Sequence, residues 1–345
     1  MPHITWIIGN GFDVNLGLKT RYTDFFEVYI KNIQNDNTIT KDFKKEIQKD
    51  EARGWKNWAD FELGMGIQSK YFKGDRQSDD FLHCYGDFVN KFHAYLEKEC
   101  LKIKWEDIDK KMTEEFRKSI FLFHTYLTKI QRNFVLSFKN NHANSVENSF
   151  LQLNYTNVFD ELISLSEVKC SNNHHLHGAL NMYPIMGVDN IDQIENEVIR
   201  NDIKVQKIFI KQSYLTLLQN RDVNTKIPAQ KALSAISDSF IFCIFGASIG
   251  DTDSYWWQKI GEKMTVSNAL LIIFDICGKI DNSIDPILVL EAEIINEERR
   301  NRIINQFLKL SGLGENWVLD NPDRIIVELD RPIFNFKLPQ KENIG

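Results

Sequence analysis

The fold of this chain is indicated by the stretch HITWIIGNGFD at residues 3–13. Its first six residues form a short apolar run, which is typical of a buried parallel strand. Gly9 and Gly11 follow, at a point where a backbone without a Cβ can turn sharply and let a phosphate approach. Two glycines after a strand also occur in ordinary tight turns, and Asp13 is equally well placed to cap a helix. The stretch therefore predicts a strand, a turn and a helix, with a ligand-binding turn as one of two interpretations.

Strand-like runs return only near residue 149, and helical patterns separate them. The strand-like runs are 149–153, 175–177, 239–245, 269–274 and 324–327, and the helical patterns lie around 203–219, 253–264 and 290–310. Strands that alternate with helices predict a mostly parallel sheet that is covered by helices on both faces. The predicted fold class is therefore α/β, with a Rossmann-like, mostly parallel sheet assembled from residues 1–20 and 148–345.

Residues 21–147 have a different character from the rest of the chain. Apolar residues recur there at helical spacing among many charges, most clearly over 81–96 and 116–134. Few strand-like runs interrupt this pattern. We therefore predict a large helical insertion or subdomain at 21–147, packed beside the edge of the sheet at which a ligand would bind.

Composition and charge exclude several classes of protein. The chain has 345 residues, and 42 basic against 48 acidic side chains give a net charge of −6, which disfavours nucleic acid as a partner. No apolar run is long enough to span a membrane. The five cysteines form no CxxC pair, and the first residues lack the pattern of a signal peptide. These features predict a cytoplasmic protein without a zinc ribbon or a disulfide framework.

Two further polar loops follow apolar strands. In an open α/β sheet, ligands bind beyond the carboxyl ends of the strands. Asn154, in the LNYTN motif at 153–157, is placed there to hold a ribose hydroxyl or a water, although Asn and Thr also suit ordinary turns. The loop GASIGDTD at 246–253 offers small residues for close approach and Ser248 as a donor to a phosphate. Its Asp251 or Asp253 could instead cap the next helix.

The HHLHG motif at 174–178 raises the question of a metal site. Alternation along a strand would put His175 and His177 on one face, but no paired cysteine or carboxylate lies at a recognisable spacing. We therefore expect no metal. A single catalytic histidine, His177, at a strand end is the better functional interpretation, and His174 and His175 are expected to be structural.

The order of these motifs resembles the sirtuin-like superfamily. The corresponding positions are Gly9, Gly11 and Gly17 with Asp13 at a serine position, then Asn154, then His177-Gly178, then Gly246-Ala247-Ser248. Within it, the chain is most similar to the bacterial abortive-infection AbiH-like family of phage-defence proteins. That similarity is carried by IIGNGFDVNLGLKTRYTDF at 7–25, LNYTN at 153–157 and GASIGDTDSYWW at 246–257, with a looser match around 58–62.

The resemblance implies an enzyme of phage defence that binds NAD or a related ADP-ribose nucleotide. It implies hydrolysis of NAD to nicotinamide and ADP-ribose, with His177 and Asn154 as the catalytic residues. The implied nucleotide-binding residues are Gly9, Asn10, Gly11, Phe12, Asp13, Gly17, Arg21, Gly246, Ser248 and Asp251. Residues 1–20 and 148–345 would form the sirtuin-like domain.

Two departures from the superfamily pattern keep alternatives open. Thr156 stands where sirtuins carry an acidic residue, and the zinc-ribbon cysteines are missing, which argues against a protein deacetylase. A non-catalytic sensor of NAD or ADP-ribose that switches a partner through the helical block is therefore the alternative. A nuclease is a weaker one, because the chain is acidic. A phage-derived trigger, a partner protein and a homo-oligomer remain open as partners.

Overall fold

The computed structural model describes residues 3–31, 36–52, 61–142, 146–182, 184–211, 223–276 and 286–341. Six strands in these residues form one all-parallel sheet. They are β1 (His3–Ile8), β2 (Glu147–Gln152), β3 (Asn172–His175), β4 (Ser239–Phe245), β5 (Leu270–Asp275) and β6 (Ile325–Leu329). Their spatial order is β3-β2-β1-β4-β5-β6, which is the strand order of the Rossmann fold. The predicted α/β fold class is confirmed.

The first strand lies at the centre of the sheet, between β2 and β4. Ile7 pairs with Leu151 on one side and with Ile244 on the other. The chain runs outward from β1 to β3, and later from β4 to β6 in the opposite direction. The strand order therefore reverses at β1 and β4, and such a switch point opens a crevice beyond the carboxyl ends of the strands.

The position of β3 corrects the sequence-based prediction. We expected a strand at 175–177, whereas β3 covers Asn172–His175. Its sequence, NNHH, is polar and half-buried, and it pairs with β2 alone. An edge strand of this kind carries no apolar periodicity, so local pattern could not place it. His177 consequently lies in the loop beyond the strand.

Helices occupy most of the remaining chain. They are α1 (Gly11–Asn15), α2 (Tyr22–Lys31), α3 (Thr38–Ala52), α4 (Phe61–Gln68), α5 (Gln77–Cys100), α6 (Lys110–Phe121), α7 (Lys129–His142), α8 (Val158–Leu165), α9 (Glu197–Asn201), α10 (Ile203–Phe209), α11 (Val223–Asp238), α12 (Ser254–Val266), α13 (Pro286–Ser311) and α14 (Trp317–Asp320). The described residues between β1 and β2 contain no strand. Of the helical pattern predicted around 203–219, residues 212–219 lie outside the described residues.

Helices cover both faces of the sheet, and alternate side chains of β1 point to opposite faces. Trp6 packs with Phe116 of α6 and Phe123 in one apolar core. Ile7 belongs to the core on the other face, with Trp257 of α12 and Phe307 of α13. Every residue of β1 is buried, as expected for a central strand of a covered parallel sheet.

A third core lies among the helices α2, α3, α4, α5, α9 and α10, which we call the helical cluster. Phe25, Phe61 and Phe88 pack there with Met186 and Phe209. Residues 186–210 thus share a core with the helices that follow β1, whereas α6 and α7 pack on the sheet. The predicted division into a domain and an insertion at 21–147 stays a prediction.

Two smaller observations complete the fold. The four cysteines in the described residues are free thiols, and Cys277 lies outside that part of the chain. None of the helices described is both long and apolar enough to cross a membrane.

Candidate functional site

A cleft lies beyond the carboxyl ends of β1, β2 and β4, at the switch point of the sheet. The described residues outline a cavity of about 130 Å³ there. Its sheet side is formed by residues 9–10, 153–156, 246–248 and 252–253, and its opposite side by Tyr22, Glu62, Phe92 and Leu96 of the helical cluster. His177 also lines it. The sheet and the helical cluster therefore build the cleft together.

The glycine turn after β1 packs directly on the loop after β4. The Gly9 N–H donates to the Phe245 carbonyl at 3.0 Å, and the Gly11 N–H donates to the Gly246 carbonyl at 2.7 Å. A Cβ on Gly9 would lie 2.4 Å from the Ala247 Cα, which no side chain tolerates. The two loops are therefore in direct contact. Their close approach by itself explains why glycine is needed here, and a role in binding phosphate stays a prediction.

Asp13 lies fully buried beneath the cleft and joins α1 to the loop after β2. The Asn154 amide donates to Oδ1 of Asp13 at 3.0 Å, and the Thr156 hydroxyl donates to Oδ2 at 2.5 Å. Burial raises the Asp13 pKa to about 7, against the lowering effect of these two hydrogen bonds. Asp13, at the serine position of the sirtuin-like pattern, and Thr156, at its acidic position, are thus direct partners.

His177 is held by Asp253, and both residues line the cleft. Its Nε2 lies 2.8 Å from Oδ1 of Asp253, and its side chain is only 6% exposed. Because a carboxylate can only accept, Nε2 must carry the proton. In the neutral ring the lone pair then belongs to Nδ1, to which none of the described residues donates. This arrangement fixes the orientation of the His177 ring, and a catalytic role for it stays a prediction.

Lys211 joins this pair to a second carboxylate. Its Nζ lies 3.0 Å from Oδ1 of Asp253 and 2.6 Å from Oε2 of Glu62. The side chains of Lys211 and Glu62 are buried, and that of Asp253 is 13% exposed. Burial alone would raise the Asp253 pKa, but the charges of Lys211 and His177 lower it below its usual value. Burial would lower the Lys211 pKa, yet the two carboxylates raise it. These shifts keep Asp253 an anion and Lys211 a cation at neutral pH.

Glu62 connects this buried charge to the aromatic wall of the cleft. Its Oε1 accepts hydrogen bonds from the hydroxyls of Tyr155, at 2.8 Å, and Tyr22, at 3.2 Å. Burial raises the pKa of Tyr155 well above its usual value, and the charge of Glu62 adds to this effect. Tyr155 therefore stays a neutral donor.

His175 supports the loop that carries Asn154. Its Nε2 lies 2.9 Å from Oδ2 of Asp160, and its Nδ1 lies 3.0 Å from the Asn154 carbonyl. Both partners are acceptors, so both ring nitrogens carry protons. Burial would lower the His175 pKa, but Asp160 raises it overall. His175 is thus a structural cation.

The described residues contain no group of three or more histidine, cysteine, aspartate or glutamate side chains that could hold a metal ion.

The structure brings six of the residues singled out in the sequence to the cleft. They are Gly9, Asn10, Asn154, His177, Gly246 and Ser248. Gly11 lies beside Gly246 without lining the cavity, and Phe12 is fully buried among Phe159 and Phe334 in the core. Phe12 therefore stabilises α1 by packing.

Three other predicted residues lie away from the cleft. Gly17, with φ of +99°, follows the end of α1 and lies beside Gln340. Arg21 is exposed, and its backbone N–H donates to Asp24 at the start of α2. Asp251 lines a separate groove beside Gln193. None of these three residues lines the cleft.

Sequence reasoning missed Glu62 and Lys211, and considered Asp253 only as a helix cap. Glu62 stood at the end of the loosely matching stretch 58–62, of which residues 58–60 lie outside the described residues. Lys211 carries no local signal, because it reaches the site only through tertiary packing. Asp253, in the polar loop after β4, was the one sequence signal that could have been interpreted as part of the site.

The comparison with protein families matches residues 5–275 to the family described as bacteriophage abortive infection AbiH. The chain belongs to the AbiH family. The match extends from β1 to the end of β5 and includes every residue that lines the cleft. Comparisons with curated proteins and with solved structures gave no significant match. AbiH membership indicates a role in phage abortive infection, while the wider sirtuin-like placement stays a prediction.

Proposed function

We propose that this AbiH-family chain binds NAD in the cleft and hydrolyses it to nicotinamide and ADP-ribose during abortive infection. The observation that carries the proposal is the contact of 2.8 Å between Nε2 of His177 and Asp253. It leaves Nδ1 as a base in a cleft at the switch point of a Rossmann-like sheet, where such folds bind nucleotides.

The reaction replaces the bond from ribose C1′ to the nicotinamide nitrogen by a bond to a water oxygen. Nicotinamide leaves with the bonding electron pair as a neutral molecule, so no general acid is required. His177 takes the proton of the attacking water at Nδ1, and the charge of Asp253 stabilises the imidazolium that forms. Asn154, on the same wall of the cleft, is placed to orient the ribose or the water.

The charge balance of the site suits this substrate. With His177 neutral, Glu62 and Asp253 outweigh Lys211 by one negative charge. The nicotinamide ring of NAD is cationic, and positive charge develops on the ribose as the glycosidic bond breaks. A fixed negative charge in a buried site stabilises such a transition state.

The size of the cavity limits which part of the substrate it encloses. Pockets for whole ligands of drug size usually measure about 300–1,000 Å³, whereas this cavity measures about 130 Å³. It therefore suits the nicotinamide and its ribose, with the remainder of the dinucleotide outside. The lining residues among those described include no lysine or arginine, so the diphosphate would depend on Ser248 and on the N-termini of α8 and α12.

The proposal is tested by incubating the purified chain with NAD, with and without lysate of phage-infected cells. Chromatography should show nicotinamide and ADP-ribose appearing in equal amounts while NAD disappears. NAD recovered intact under both conditions would refute hydrolysis.

A non-catalytic sensor is the second candidate, and one observation favours it. The Asn154 amide nitrogen donates one of its two N–H groups to the buried Asp13, so Asn154 has a structural role in addition to any contact with the substrate. A sensor would bind NAD in calorimetry, and NAD would be recovered unchanged after binding.

A further inference from the structure

Lys211 occupies a position between the helical cluster and the sheet loops. It lies two residues beyond the end of α10, and its backbone N–H donates to the Val188 carbonyl at 2.9 Å. Its side chain crosses to the sheet side, where Nζ donates to the Thr252 carbonyl at 3.0 Å. The same Nζ lies 3.4 Å from Nε2 of His177. One buried ammonium therefore contacts both walls of the cleft.

This contact cannot be a hydrogen bond that uses the His177 lone pair. Nε2 already carries the proton that it donates to Asp253, so Lys211 stands beside an N–H group. The ammonium is consequently a like charge next to the imidazolium whenever His177 is protonated. Like charges this close disfavour the protonated form of the histidine.

We propose that Lys211 is a positioning residue that keeps His177 available as a base and holds the helical wall of the cleft against the sheet through Glu62 and Asp253. The inference rests on the proposed function, because it assigns His177 a basic role. It assigns no contact with substrate to Lys211.

The charges around His177 determine the direction of the effect. Asp253 favours the imidazolium form of His177, and Lys211 opposes it. Glu62 contacts the other side of the Lys211 ammonium. The ring centroid of Tyr155 lies 5.9 Å from that of His177. Without Lys211, His177 would face two carboxylates that nothing neutralises. It would then hold a proton at higher pH and lose its lone pair at neutral pH.

The test is an NMR titration of His177 in the full-length chain labelled at histidine, with its signal assigned by comparison with His177→Gln. In Lys211→Met, the midpoint of the titration should move to higher pH by about one unit or more. In Glu62→Gln, which keeps an acceptor for both tyrosine hydroxyls, it should move to lower pH. Lys211→Arg should stay close to the wild type. The opposite signs separate an electrostatic role from a purely structural one.

Lys44→Met is the matched control. Lys44 is also a buried lysine in an ion pair, 2.7 Å from Asp36 in the helical cluster, but it does not line the cleft. Its loss should lower the melting temperature and leave the His177 titration unchanged.

Two results would overturn the inference. One is a midpoint in Lys211→Met that is unchanged or lower than in the wild type. If Lys211→Met does not fold, Glu62→Gln decides alone, and an unchanged or raised midpoint contradicts the role of Lys211. If the midpoints move as expected but the wild type leaves NAD intact, the proposed hydrolysis fails while the control of His177 by Lys211 stands.

Discussion

Two aspartates at the cleft, Asp13 and Asp253, differ in pKa because their partners differ. Asp253 contacts the ammonium of Lys211, and its pKa is lowered despite burial. Asp13 receives hydrogen bonds only from the neutral groups of Asn154 and Thr156, and burial raises its pKa to about 7. Neutral donors do not offset the loss of hydration of a carboxylate as a cation does. The two residues therefore differ in role: Asp253 orients the His177 ring, and Asp13 joins α1 to the loop after β2.

Asp13→Asn should change how stability depends on pH. The pKa of Asp13 is about 7 in the folded chain and near 3.9 in an unfolded one. Between these values the folded state binds more protons, so the free energy of unfolding falls as pH rises from about 4 to about 7. Relative to the wild type, the variant should gain on the order of 4 kcal/mol between these limits. Urea unfolding across this range measures the difference, and parallel curves for both proteins would contradict it.

His177→Ala should remove hydrolysis and preserve the fold. Asp253 keeps its contact with the Lys211 ammonium in this variant, so its carboxylate is not left without a cationic partner. We expect the turnover number to fall about 10²–10⁴-fold, the usual range for a positioned acid–base group. His83→Ala, at an exposed position of α5, is the control and should leave turnover unchanged. A folded His177→Ala protein with full activity would remove the assignment.

At the level of elements, the glycine turn after β1 packs against the loop after β4 and holds the ends of these two strands together. Gly9→Ala places a Cβ 2.4 Å from the Ala247 Cα, so the loops must separate. We expect a loss of about 1–3 kcal/mol in the free energy of unfolding, as for overpacked cores. Gly86→Ala is the matched control, because a Cβ there meets nothing within 4 Å inside α5. It should stabilise the chain by roughly 0.5–1 kcal/mol, and equal effects of the two changes would refute the account of the loops.

The central strands were predictable from sequence and the edge strand was not. The predicted limits of β1 and β4 agree with the observed ones, because both are continuous apolar runs buried on two faces. The polar β3 is placed by its pairing with β2, as in the register of Leu151 with His174. That pairing depends on residues distant in the chain, which local periodicity does not contain.

At the scale of the whole molecule, the cleft depends on tertiary packing between distant segments, which no sequence motif indicates. Asn154 and His177 were predicted because each follows a strand. Glu62 and Lys211 join them because residues 186–210 share a core with α4 and α5. The residues on the sheet side of the candidate site could therefore be predicted from sequence, and those on the helical side could not.

Binding of NAD should stabilise both sides of the cleft. Hydrogen exchange measured with saturating NAD should show protection at 153–156 and 246–248 and also in α4 and α5, which supply Glu62 and Phe92. His177→Ala should show the same protection, because it removes a base and leaves the walls in place. Protection confined to the sheet loops would contradict a cleft shared with the helical cluster.

The most direct test of the central claim is the NAD content of cells during phage infection. Cells should express either the wild-type chain or His177→Ala, with both proteins shown to be folded and equally abundant. We predict that NAD falls after infection in cells with the wild type and is maintained in cells with the variant. An equal NAD content in the two strains, whether both fall or neither falls, would contradict hydrolysis by His177 at this cleft.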